Sequence, residues 1–408
     1  MEKWNKQLCT ELSVLYRRQL FEIMSEWAIH SPNRLHGGYY ADFGENWVRV
    51  SDRKDIVSQA RNTYMMAAMA GIDPDSAVKW IELAALGRDF LVKHAWAGGG
   101  RWYSALDSSG KEVLQGTIKY TPDSFCLMAL CEYVNATGDK RDMALIEETY
   151  ETFVHNLFDP YFRDIYPREW GPDVCYQNLN MHGVCTPGVV SLVLGLDRVR
   201  PFLRRNIDRL IEFFPNNKSG YSLECLKRDG SIIDTPEARS VSPGHVLEAM
   251  WFCTEQSFRM GDLNRDLPRI LEIIDKTAIA GTDARGGIIH RFDCFGAPDD
   301  RVDTDLSITA RGQRFDVKVE WVNCEALVAL GCAAVFGGKE DQIERFLQHH
   351  DYCQKHFRPE EGGDWYHLLT PEGTPLPGFK KGGTHQSAFH VPRALWKLSE
   401  LFAYAAKK

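Results

Sequence analysis

Residues 99–107 read Gly99-Gly-Arg-Trp-Tyr-Ser-Ala-Leu-Asp107, and this run of glycines, aromatic or branched residues and a turn recurs along the chain. Double-glycine copies begin at Gly37 (Gly-Gly-Tyr-Tyr-Ala-Asp-Phe-Gly44), Gly286 (Gly-Gly-Ile-Ile-His-Arg-Phe-Asp293) and Gly362 (Gly-Gly-Asp-Trp-Tyr-His-Leu-Leu369). Another, Gly220-Tyr-Ser-Leu-Glu-Cys-Leu-Lys-Arg-Asp-Gly230, follows Ser219 and keeps a single glycine. A sixth, degenerate copy is Tyr161-Phe-Arg-Asp-Ile-Tyr166. The spacings are 62 (37 to 99), 66 (220 to 286) and 76 (286 to 362) residues, and the gap of 121 (99 to 220) leaves room for the degenerate copy. Between the copies lie helical stretches such as 58–70 and 124–135, the second stopped by Thr137-Gly138-Asp139. Two helices per repeat and six repeats give an all-α fold, an (α/α)6 barrel, with short strands confined to the repeats. A closed ring is favoured over an open solenoid because six copies use the whole chain, with no linker or low-complexity segment left over. Residues 1–408 are therefore expected to form a single (α/α)6-barrel domain.

Composition narrows the function. The chain has 408 residues, 44% of them hydrophobic, 12% aromatic and 25% charged, which suits an ordered protein with a large core. A formal charge of −8 without a basic block argues against nucleic acid and against an anionic membrane surface as partners. The eleven cysteines are scattered from Cys9 to Cys353 without a Cys-x-x-Cys pair, and most lie in apolar helical runs. They read as small core residues of a reducing compartment rather than as disulfides or a zinc site. The first residues, Met-Glu-Lys-Trp-Asn-Lys-Gln, lack the apolar core of a signal peptide, and no run is expected to approach transmembrane length. A cytoplasmic location is expected. A homodimer is compatible with the sequence, which does not fix the oligomeric state.

In a ring of helix pairs, the loops of one mouth carry the functional groups. Aromatic side chains there would floor a sugar site, which fits 11 tryptophans and 15 tyrosines. Residues 242–252, Ser-Pro-Gly-His-Val-Leu-Glu-Ala-Met-Trp-Phe, place His245 in the first turn of a buried helix. Glu248 stands three residues later on the same face, and the positive helix end is expected to bias His245 toward the neutral base. A neutral imidazole beside a carboxylate moves protons near pH 7. The same pair could equally be a buried histidine satisfied by Glu248.

Five segments make the reading specific: Lys54-x-x-Val57-x-Gln59-x-Arg61, Asn178-Leu-Asn-Met-His182, Pro243-Gly-His245-x-x-Glu248, Trp321-x-Asn323-x-Glu325 and Ala388-Phe-His390-Val-Pro-Arg393-Ala-Leu395. In order and in register with the repeats, from about residue 37 to 396, they resemble the N-acylglucosamine 2-epimerase family, which includes cellobiose 2-epimerases and aldose–ketose isomerases. The resemblance implies an (α/α)6 barrel and interconversion of a free mono- or disaccharide at C2, without a redox cofactor. It places His245 and His390 on the two proton-exchanging histidines, and His182 on a third found in the cellobiose epimerase and isomerase branches. Arg61 falls on the arginine near the reacting oxygens. Tyr120, Asn178, Glu248, Trp321, Glu325 and Trp365 fall on sugar contacts or supports for the histidines. The chain departs from the family at Val57, Asn323 and Asp364, at Gly183-Val184-Cys185 and in residues 383–387, so the branch is less defined than the chemistry.

Epimerisation at C2 needs a proton removed beside a carbonyl and the developing enediolate stabilised. Two histidines and an arginine meet that need, with one histidine on each face for epimerisation or one face alone for aldose–ketose isomerisation. No metal or nucleotide is expected: the chain has neither a Gly-x-Gly-x-x-Gly nor a P-loop element, and the three histidines are not spaced as a local ligand motif. Each residue has a plain alternative: His390 and His182 as satisfied buried histidines, Arg61 as an ion-pair partner, Trp321 as core and Glu325 as helix surface. His349, His350, His367 and His385 read as surface or structural. The rivals are a glycoside hydrolase on the same ring, using a carboxylate pair drawn from Asp123, Asp173, Glu224 and Asp364, and a sugar-binding protein without catalysis.

Overall fold

The structure, a computed structural model, describes residues 4–44, 46–117, 120–159, 173–296, 301–302, 312–377 and 387–408. The degenerate repeat at 161–166 lies outside them, as does His385. Twelve α-helices stand among the described residues: α1 (Lys6–His30), α2 (Ile56–Ile72), α3 (Ala77–Phe90), α4 (Thr121–Thr137), α5 (Met143–Phe158), α6 (Gln177–Leu194), α7 (Leu196–Asp208), α8 (Pro243–Met260), α9 (Leu263–Gly281), α10 (Glu320–Cys332), α11 (Glu340–His356) and α12 (His390–Lys407).

Burial sorts them into two rings. Sixteen of the seventeen residues of α2 and all thirteen of α10 are buried, so neither has a solvent face. They belong to an inner ring in which α2, α4, α6, α8, α10 and α12 pack side by side in that order. The ring closes where Tyr64 of α2 meets Phe389 and Trp396 of the α12 segment. The outer helices are amphipathic. In α9 the buried set Ile270, Ile273, Ile274, Thr277, Ala278 and Gly281 follows the three-and-four spacing of one helical face. Each inner helix is backed by the outer helix that follows it, except α12, which is backed by α1. The sixth pair thus comes from the two ends of the chain, and Ser13 Oγ donates to the Ser399 carbonyl across it at 2.8 Å. The stretch Glu320–Gly337 is long and apolar enough to cross a membrane by length and composition, contrary to the sequence expectation, but it is α10 and its last turn, mostly buried inside the ring.

The repeats prove to be clasps. Short strands are not confined to them, because each clasp needs a partner. Lys54–Asp55, Val174–Tyr176, Ser240–Val241 and Lys318–Val319 lead into α2, α6, α8 and α10. They pair antiparallel with Ala105–Leu106, Cys225–Lys227, Phe292–Asp293 and Leu368–Leu369, which sit in the glycine-led copies at 99, 220, 286 and 362. Each copy therefore follows an outer helix and pins the start of its own inner helix, which sets the register in which that helix presents its first turns. The glycines are there because the turn requires them. Gly99 and Gly100 have φ of 62° and 72°, and a Cβ on Gly100 would lie 2.1 Å from Thr152 Oγ1. All four pinned helix starts lie at one mouth of the ring.

Candidate active site

The sequence-selected residues fall in the first turns of the inner helices. His245 and Glu248 are on α8, Asn178 and His182 on α6, Trp321 and Glu325 on α10, His390 on α12 and Arg61 on α2, while Tyr120 caps the start of α4. Trp321 touches two histidines, its ring centroid 5.0 Å from His245 and 5.7 Å from His390. Each of the three histidines is anchored through Nδ1. His245 Nδ1 meets Glu224 Oε1 at 2.9 Å, His390 Nδ1 meets Glu325 Oε1 at 2.7 Å and His182 Nδ1 meets Ser124 Oγ at 2.8 Å. A carboxylate on Nδ1 fixes the proton there and leaves Nε2 as the atom for proton exchange.

The two carboxylate-bound histidines titrate in opposite directions. Burial alone would lower His245, but Glu224, with Glu248 behind it, overrides burial and raises it above the usual imidazole range. His390 is held well below that range by burial and by Arg61, although Glu248 pulls the other way. His182 is pushed down to about 3 by burial, Arg61 and the other two histidines, so it is a neutral ring. The expected pairing of His245 with Glu248 does not form. Glu248 turns instead to α12, where Arg393 Nη2 donates to it and, at 2.6 Å, to Glu325 Oε1. The expected bias of His245 toward the neutral base is reversed in direction, since the Glu224 carboxylate in direct contact outweighs the half-charge of a helix end.

Glu325 is the hub of this network. Its Oε1 receives His390 and Arg393, and its Oε2 accepts from Trp251 Nε1 at 2.8 Å. It is therefore core, not helix surface. Glu248, Glu325 and His390 bring ligand atoms within 4.8 Å of one another, but the guanidinium of Arg393 already neutralises both carboxylates. Arg61 packs into the corner of two perpendicular rings, its Cζ 4.3 Å from the Phe125 centroid and 4.7 Å from that of Phe389. Phe125 in turn touches His182 and Phe389 touches His390, so Arg61 reaches both histidines through shared walls. Burial and Arg393 lower its pKa to about 9. Tyr120 meets the His182 ring edge-on at 5.0 Å, and Asn178 is buried one turn before His182 with Oδ1 lacking a hydrogen-bond partner. Trp365 is buried against Phe357.

Sequence reasoning passed over three residues. Glu224 was considered only as a hydrolase acid, whereas it orients His245. Arg393 was quoted within a motif but given no role. His367 is half-buried beside Glu320, with Nδ1 2.5 Å from Glu320 Oε2, and stands one residue before its strand just as Glu224 does. Counting from the strand in each repeat would have flagged both positions. Of the other histidines set aside, His349 bonds the Asn323 carbonyl and His350 bonds Tyr16. The hydrolase carboxylates do not form a free pair. Asp123 is bound by Arg101, Asp364 accepts from Trp27, Glu224 holds His245, and Asp173 is exposed.

Residues 38–394 match the family described as N-acylglucosamine 2-epimerase (GlcNAc 2-epimerase). The chain is 24% identical to N-acylglucosamine 2-epimerase of Mus musculus over 414 residues, covering 97% of this chain and 91% of that protein. It is also 24% identical to cellobiose 2-epimerase of Ruminococcus albus over 315 residues, 71% of this chain and 73% of that one. The structure of cellobiose 2-epimerase from Spirochaeta thermophila superposes with a TM-score of 0.80 at 20% identity, over 98% of both chains, which places the two in one fold. With the family match spanning every repeat from the first clasp to α12, the chain belongs to the N-acylglucosamine 2-epimerase family.

Proposed function

We propose that the protein interconverts the C2 epimers of a free reducing sugar by proton transfer between His390 and His245. The observation that carries this reading is the pair of histidines that touch one indole, each anchored by a carboxylate on Nδ1, and their surroundings push the two pKa values in opposite directions. His390 is neutral with its Nδ1 proton on Glu325, so its Nε2 lone pair removes the C2 proton of the open-chain aldose. The electron pair enters the C1–C2 bond and the carbonyl oxygen becomes an enediolate, whose charge the Arg61 guanidinium compensates. His245, protonated through Glu224, delivers a proton from Nε2 to the opposite face of C2, and the carbonyl re-forms. The reverse reaction exchanges the two roles. An enediolate route leaves the oxidation state unchanged and needs no hydride carrier.

Aldose–ketose isomerisation is the second reading, in which the proton returns to C1 on the same face. His182 supports it, and also supports the cellobiose epimerase and isomerase side of the family over the N-acyl side. The eleven buried free thiols support a reducing compartment. The test is incubation with glucose, mannose, fructose, cellobiose, N-acetylglucosamine and N-acetylmannosamine, followed by NMR. A new C2 epimer without added metal or nucleotide is expected. Monosaccharide released from cellobiose, or no conversion of any sugar, would overturn the proposal.

A further inference from the structure

The ring has a second cavity, of about 270 Å³, at the end opposite the histidines. Its walls come from late turns of the inner helices: Glu132 and Asn135 on α4, Gly188, Val189 and Leu192 on α6, and Gln256 and Arg259 on α8. The rim is open to solvent at Asn135, Arg259 and Leu192, the last 46% exposed. The interior is walled by Arg393 and Trp251, each 2% exposed, with Tyr64, Phe252 and Trp396 as further aromatic surface.

Two features define what such a space takes. Its cationic groups are engaged within the wall: Lys397 Nζ bonds Glu255 Oε1 at 2.6 Å, and the Arg259 guanidinium donates to the Gly188 carbonyl and Ser191 Oγ at 2.8 and 2.7 Å, with Glu255 as a nearby counter-charge. Hydrogen-bonding capacity remains. Arg393 Nη2 is committed to Glu248 and Glu325, but its Nε is buried without a hydrogen-bond partner. Glu132, 5% exposed, receives Asn135 Nδ2 at 3.1 Å on one oxygen, and burial raises its carboxyl pKa. A donor, a carboxyl acceptor and flat aromatic walls form the chemistry that recognises hydroxyl groups on a carbon chain. The volume falls just below the usual ~300–1,000 Å³ of ligand pockets, which admits a six-carbon molecule and excludes a disaccharide or nucleotide.

We propose that this cavity is a second binding site, separate from the mouth, for a small neutral polyol of hexose size. The inference stands apart from the proposed reaction. An occupant would touch Arg393, whose other side holds the carboxylate that orients His390. The test uses sorbitol, which has no carbonyl and is not turned over. It is titrated calorimetrically into the wild type, Leu192→Trp at the exposed rim, Glu132→Leu inside the cavity, and Arg61→Ala at the mouth, with the fold of each checked by circular dichroism. Binding to the wild type and Arg61→Ala with equal affinity is expected, weakened at least about tenfold in Leu192→Trp and likewise in Glu132→Leu where that variant folds. No heat with the wild type, unchanged affinity in Leu192→Trp, or loss confined to Arg61→Ala would each overturn the proposal.

Discussion

Replacing Arg393 by leucine would strip two buried carboxylates of their shared cation. Arg393, Glu248 and Glu325 have side-chain exposures of 3%, 5% and 0%, so water cannot take over the pairing. Removing one partner of a buried ion pair costs about 3–5 kcal/mol. Unfolding entropy of roughly 2.1 cal/mol/K per residue gives about 0.9 kcal/mol/K for this chain. The midpoint at neutral pH should therefore fall by roughly 4–6 °C, read by calorimetry or circular dichroism. The pH dependence has a definite sign. Without Arg393 the folded-state carboxyls titrate above their unfolded values, so the folded variant binds more protons and loses stability as pH rises. The deficit should shrink on acidification, and adding Glu248→Gln and Glu325→Gln should recover much of it. A variant that melts within about one degree of the wild type at neutral pH would refute a charged network at the hub.

Glu224→Gln should lower the His245 pKa, because the carboxylate is what holds it up. An acid that must be protonated fails as pH rises through its pKa, so the alkaline limb of kcat/KM should move to lower pH, with the acid limb unmoved. An unchanged profile would remove Glu224 from that role. Gly87→Ala tests the contact of α3 with α2. Alanine in a helix ordinarily stabilises by up to about 1 kcal/mol, but here Cβ would lie 2.0 Å from Thr63 Oγ1 and 2.4 Å from Tyr39 Cε2. A loss of about 1–3 kcal/mol is expected instead, and a raised midpoint in thermal denaturation would contradict the packing.

The ring was legible because its construction leaves residues behind. Left-handed turns at Gly99, Gly100, Gly286 and Gly287 demand glycine, and the paired copies mark every clasp that carries them. α4 stops at Gly138, φ 73°, where the sequence signal stood. His245 and His390 were legible for a related reason, since each opens an inner helix beside a proline or glycine. What the chain hid is what crosses between elements. Glu224 reaches His245 only because its strand pairs with the one ahead of α6, a register that no spacing within residues 242–252 encodes. Glu248 was misassigned because sequence proximity on α8 competes with Arg393, which is 145 residues away. The second cavity uses late turns of inner helices that read as ordinary core sequence.

The central claim is that His390 and His245 act on opposite faces of one carbon, and hydrogen exchange at C2 tests it most directly. Each epimer, purified and dissolved in heavy water, is followed by NMR with the wild type, His245→Asn and His390→Asn. The wild type should deuterate C2 of both epimers and interconvert them. Each variant should lose interconversion by ~10²–10⁴-fold yet still exchange C2 of one epimer with retention, the two variants choosing opposite epimers. Interconversion near the wild-type rate in either variant, or deuteration of both epimers by one variant, would contradict the two-histidine account.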